Sequence, residues 1–317
     1  MRMKSRIIQA EPIEELSAAY MKELRSHNNT RMVYEGINPY AEVYRFREHV
    51  YGIYTDNADG GGAPWSYLIL GPEKAMLIDT GFGIGNLKGL AETITGGMPL
   101  IVVNTHSHRD HAYGNYQFDT VYCHEYAVPY LEQMMNPSVW DFLFDEKGNP
   151  IWLEFDPSDI IPYREYQIAG CPDGYCFCLG GDYQVELIFL GGHDAGHAGF
   201  LDKKSRILFC GDAFLSMWVM IGGPKPGMPY GEYATVREFS KNLKRLSGRT
   251  SEFDSLFPGH FIVDIGNTVV GNMLEACDAV IGNPDCFDYQ VMRKGRITKY
   301  KSVKGLGALA YTDDGIG

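Results

Sequence analysis

The run His106-Ser107-His108-Arg109-Asp110-His111 constrains this chain more than any other segment. It follows the apolar run Leu100-Ile101-Val102-Val103, which reads as a buried strand. Alternate residues at a strand end point the same way, so His106 and His108 can grip one ion, while Asp110 and His111, just beyond, turn toward a second. Imidazole and carboxylate donors suit zinc and also iron or manganese.

Four other islands supply what this run lacks. Asp79-Thr80-Gly81 closes the apolar run Ala75–Ile78, and Gly192-His193-Asp194-Ala195-Gly196-His197-Ala198-Gly199 is a glycine-rich loop with two histidines. Phe209-Cys210-Gly211-Asp212 is a strand ending in a carboxylate, and Phe257-Pro258-Gly259-His260 is a strand ending in a histidine. A lone histidine is usually structural, but an ordered set of this kind points to a metal site.

In order and content these islands resemble the metallo-β-lactamase superfamily over residues 41 to 282, in particular its glyoxalase II-like and lactonase-like branch. The resemblance implies an αββα sandwich and a hydrolase with two divalent ions, zinc first, iron or manganese next. It implies a metal-bound hydroxide as nucleophile, with one ion polarising the substrate oxygen. Matched to the family motifs, His106, His108 and His197 hold the first metal. Asp110, His111 and His260 hold the second, Asp212 bridges, and Asp79 orients a ligand without being one. Asp110 is also the expected catalytic proton carrier. The chain departs from the pattern in two places. Ala198 stands where the third motif has Ser or Thr, and His193-Asp194-Ala195 replaces a Thr-Pro run. His193 is read first as a loop residue that hydrogen-bonds locally, otherwise as a spare ligand or a substrate contact; Trp218 and Tyr230 are the other candidate substrate contacts.

Composition narrows the branch. With 28 Lys and Arg against 40 Asp and Glu, the net charge of −12 disfavours a nucleic-acid substrate. True β-lactamases of this family usually carry an export signal and lack the bridging carboxylate, so antibiotic hydrolysis is expected only as a minor activity. The expected substrate is a small molecule with an ester, lactone, thioester or amide bond. A mononuclear-iron persulfide dioxygenase is the alternative. No apolar run spans about 18 residues and the start lacks a secretory core, so neither membrane nor export is expected. The seven scattered cysteines then read as cytoplasmic thiols, with Cys176 and Cys178 as small buried residues.

The chain divides into an extension at 1–40 and one domain at 41–317. In the extension, Ile13–Arg25 has the spacing of an amphipathic helix, which either packs on its own domain or pairs two copies as a homodimer. In the domain, residues 136–168 form an aromatic-rich insertion, either a substrate-facing lid or a wall of the fold, and residues 285–317 form an extended tail.

Overall fold

The computed structural model describes residues 6–7, 25–59, 62–293 and 295–317. The helix expected at Ile13–Arg25 lies outside these residues, apart from Arg25. Two sheets face each other, and helices cover their outer faces. The first has eight strands. Met32–Tyr34, Asn38–Arg47, Val50–Thr55, Trp65–Leu70 and Ala75–Ile78 form an antiparallel meander. Leu100–Val103, Thr120–His124 and Gln167–Cys171 then add in parallel. The second sheet orders Cys176–Gly180, Tyr183–Phe189, Ala198–Asp202, Ile207–Gly211, Ser255–Pro258 and Ile265–Gly266. In it the parallel pair Ile207–Gly211 and Ser255–Pro258 is linked through the helix Val236–Ser247.

The strands are apolar on both faces because both faces are covered. In Ala75–Ile78, Met76 and Ile78 point between the sheets, while Ala75 and Leu77 point to the outer layer. Between the sheets, Tyr67, Val103, Phe200, Phe209 and Phe257 form one core. The helix Leu87–Thr95 covers the first sheet. Asn86 caps it by accepting from Gly89 N at 2.8 Å, and Gly96 ends it in the left-handed conformation. Val236–Ser247 and Val269–Gly282 cover the second sheet with Phe239, Leu243, Met273 and Val280. Thr235 accepts from Glu238 N at the start of Val236–Ser247, and Lys244 and Arg245 occupy the last turn, where cations favour the helix dipole.

The aromatic insertion is a wall rather than a lid. Trp140, Leu143, Phe155 and Tyr166 are buried against the outer face of the first sheet. The tail is also more ordered than its sequence suggests. Tyr289–Arg293, Arg296–Val303 and Gly307–Tyr311 form a sheet with Trp218–Met220. The cysteine expectation needs a correction at two positions. All seven thiols are unpaired, but Cys176 and Cys178 are exposed. They alternate on an edge strand with Phe177 and Leu179, which face the core.

Phe209 has no solvent exposure and packs, with tilted rings, against Tyr67 and Phe257 at centroid distances of 5.1 and 5.6 Å. Phe209→Ala is expected to cost about 3–5 kcal/mol, read as a lower urea midpoint. Met292→Ala, at an exposed position, should stay within about 0.5 kcal/mol of wild type.

Candidate metal centre

Every motif residue follows the C-terminal end of a strand, so the loops of both sheets meet at one rim. Asp79 follows Ala75–Ile78, and His106 follows Leu100–Val103. His193 follows Tyr183–Phe189, Asp212 follows Ile207–Gly211, and His260 follows Ser255–Pro258. The two sheets are tied at this rim by Trp65 N donating to Gly259 O at 2.7 Å.

Two donor groups result: His106, His108, His193 and Asp212 in one, Asp110, His111 and His260 in the other, with the donor atoms of each group within 4.8 Å of one another. In the first, His108 Nδ1 stands 3.1 Å from His106 Nε2 and 3.0 Å from His193 Nε2. In the second, His260 Nε2 stands 3.1 Å from Asp110 Oδ2 and 3.2 Å from His111 Nε2. Asp212 reaches both: Oδ2 is 3.4 Å from His193 Nε2, and Oδ1 is 3.4 Å from His111 Nε2.

The far side of each ring fixes which nitrogen carries the proton. His193 Nδ1 donates to Met220 O at 2.7 Å, and His260 Nδ1 donates to Ala63 O at 2.9 Å. His111 Nδ1 donates to Asp79 Oδ2 at 2.8 Å. The Thr105 hydroxyl gives its own proton to Asp79, so its oxygen accepts from His106 Nδ1 at 2.9 Å. In the neutral rings, Nε2 of all four therefore turns a lone pair inward. Asp79 organises this although its backbone is left-handed at φ 63°, a conformation rare for a non-glycine residue. It accepts from Thr105 N at 2.7 Å as well.

His108 Nδ1 faces two of these lone pairs and can satisfy only one by donating a proton, so a lone pair is left for a cation. Asp212 Oδ1 is a buried carboxylate oxygen with no hydrogen-bond partner among the described residues, a costly state that a cation relieves. Nitrogen and carboxylate donors, converging and unsatisfied, fit divalent metal ions. The electrostatics agree. Burial, with the neighbouring His193, pushes His108 down to about 4, and burial with the surrounding histidines holds His106 well below the usual range. Both rings are thus uncharged ligands at neutral pH. His111 is raised to about 10: burial opposes this, but Asp212, Asp110 and Asp79 prevail. The same three carboxylates attract a metal cation.

His197, assigned as a ligand by its motif, is in neither group. It is fully buried, and its Nε2 accepts from Asp212 N at 3.0 Å. It supports the Gly211-Asp212 turn, where Gly211 has φ 48° and an added Cβ would lie 2.7 Å from Thr105 Cβ. His193 stands in its place in the first donor group. It sits at the loop tip, whereas His197 immediately precedes the strand Ala198–Asp202 and is pulled under the sheet. The neighbouring Asp194 was the missed signal. It is buried and bonded to the Ser107 hydroxyl and, at 3.2 Å, to Ser107 N, which pins the His193 loop to the His106–His108 turn.

Beside the donors lies a cavity of about 260 Å³, walled by Leu215, Trp218, Met220 and Phe261. Trp218 is thus placed at the cavity. Tyr230 is not: it stacks on Tyr126 at 4.6 Å and does not line the cavity.

The model of the metallo-β-lactamase superfamily matches residues 59–246. The chain belongs to that superfamily. Its curated relatives include the acyl-coenzyme A thioesterase MBLAC2 of Homo sapiens, 30% identical over 212 residues, covering 62% of this chain and 72% of the relative. A probable metallo-hydrolase of Methanocaldococcus jannaschii is 28% identical over 203 residues, covering 62% of this chain and 86% of the relative. Among solved structures, a metallo-β-lactamase from Pontibacter korlensis superposes with a TM-score of 0.52 at 20% identity, over 75% of this chain and 99% of the other. DIM-1 metallo-β-lactamase gives 0.53 at 18% identity, over 77% and 99%. These two likenesses concern the fold. The superfamily and the relatives make the chain a hydrolase, with a cluster of His and Asp able to hold metal. Among the described residues no helix is long and apolar enough to cross a membrane.

Two outcomes follow. His193→Ala should lower the metal content measured by mass spectrometry, whereas His197→Gln, which keeps an acceptor for Asp212 N, should hold wild-type content. Asp79→Asn should weaken metal affinity about 10–100-fold in chelator competition, since His111 loses its orienting carboxylate.

Proposed function

We propose that the chain is a dinuclear metal-dependent hydrolase of small-molecule thioesters. The observation that carries this is the pair of donor groups joined by Asp212 and opening on an apolar cavity. The thioester is favoured over ester, lactone or amide by the acyl-coenzyme A thioesterases among the relatives. His106, His108 and His193 would hold one ion, Asp110, His111 and His260 the other, with Asp212 shared. Zinc suits the nitrogen-rich set best. Bound divalent ions supply Lewis acidity for a carbonyl oxygen and lower the pKa of water toward about 7.

The chain's own residues do the rest. Asp79 holds His111, and Thr105 holds His106, each in one tautomer. Asp110 lines the cavity and takes the proton of the attacking water. Its carboxyl is held well below the usual range and is ionised: burial opposes this, but His111 and the His260 contact prevail, so a proton taken there is passed on readily to the leaving thiolate. A thiol leaves readily because its pKa is about 8.5, so one carboxylate suffices for the proton traffic. Trp218 and Phe261 shield the reacting atoms from bulk water.

The test is metal quantification paired with a panel of thioester, ester, lactone, amide and β-lactam substrates. Two zinc ions per chain and a preference for thioesters are expected. Asp110→Asn assayed at saturating metal should lower kcat by about 10²–10⁴-fold. One iron per chain with oxygen uptake on a persulfide, or faster turnover of β-lactams than of thioesters, would contradict the reading.

A further inference from the structure

The residue between two motif ligands, Arg109, is not explained by metal binding. It lines the cavity, and among the described residues lining it, Arg109 is the one guanidinium or ammonium group. Its side chain is 46% exposed. Two contacts hold it in place. The guanidinium carbon lies 4.9 Å from the ring centroid of Phe142, a cation–π contact. Nε lies 3.7 Å from Asp59 Oδ2, too long for a hydrogen bond. The two Nη nitrogens make no hydrogen bond among the described residues. They are a pre-positioned pair of donors of the kind that recognises carboxylate or phosphate oxygens. Phe142 comes from the aromatic insertion, which therefore touches the site here although most of it packs as a wall.

The charge balance points the same way. A chain of net charge −12 repels anionic substrates, so a local cation at the cavity counters that field where it matters. The opposite side of the cavity is apolar through Leu215, Trp218, Met220 and Phe261. We propose that Arg109 is an anion-reading subsite. The favoured substrate is then a thioester that carries a carboxylate or phosphate group within reach of Arg109, while its apolar part lies against Trp218 and Phe261. This rests on the thioester hydrolase reading. Asp59 competes for the guanidinium and moderates the binding.

The test is calorimetry of thiols on the zinc-loaded full-length protein, which needs no turnover. Two pairs are compared: 3-mercaptopropionate with 3-mercaptopropionamide, and coenzyme A with pantetheine. The charged member of at least one pair should bind about tenfold tighter or more. The first pair reports a carboxylate source, the second a phosphate source. Arg109→Gln should reduce the preference to within about twofold, with zinc content and affinity for the neutral thiols unchanged. Arg109→Lys should keep part of it, and Asp59→Asn should increase it. No preference in the wild type, or a preference that survives in Arg109→Gln, overturns the proposal. The second result would move the subsite toward Lys225, whose Nζ lies 3.8 Å from Asp194. Thioester hydrolysis is measured separately. If Arg109 governs thiol binding and no thioester is cleaved, the reaction assignment falls and the subsite stands.

Discussion

Imidazole and carboxylate donors gathered into two groups, each within 4.8 Å, set the demands that the fold has to meet. His106, His108 and His193 converge at 3.0 and 3.1 Å, and His111 and His260 at 3.2 Å. The protein commits carbonyls, a hydroxyl and a carboxylate on the far side of the rings to hold their orientation. Met220, Ala63, Asp79 and Thr105 each take a ring proton and so turn the other ring nitrogen inward. The converging donors are able to hold metal, and Asp212 lies between the two groups and reaches both.

The sandwich exists to hold that rim. Its two sheets are joined by an aromatic core of Tyr67, Phe209 and Phe257, and the backbone bond from Trp65 to Gly259 closes the rim between them. Parallel pairing sets Asp79 beside the His106 turn, and Asp212 beside the His260 turn. The loops carry chemistry while the strands carry stability, which is why ligands distant in sequence share one centre.

Much of this was legible in the sequence because both strand periodicity and ligand spacing are local. The apolar runs Ala75–Ile78 and Leu100–Val103 end where the strands end, and the fold gathers His106, His108, Asp110, His111, Asp212 and His260 into the two donor groups, with Asp79 behind His111. The choice between His193 and His197 was not local. Both sit in one glycine-rich loop, and which turns inward depends on where the next strand begins and on Asp194 bonding to Ser107 across 87 positions. Cys176 and Cys178 were misread for a similar reason: alternation shows that they share a face, but only the position of their strand at the sheet edge shows which face. The tail looked merely extended because its partner strand, Trp218–Met220, lies far away in the chain.

The central claim is a two-ion centre in which His193, not His197, completes the first group. Anomalous diffraction at the zinc edge from crystals of the zinc-loaded protein tests it most directly. Two peaks are expected, one about 2.0–2.1 Å from nitrogens of His106, His108 and His193, the other at the same range from His111 and His260, with Asp212 between them. A single peak, or a zinc ion coordinated by His197 Nε2 in place of His193, would contradict it.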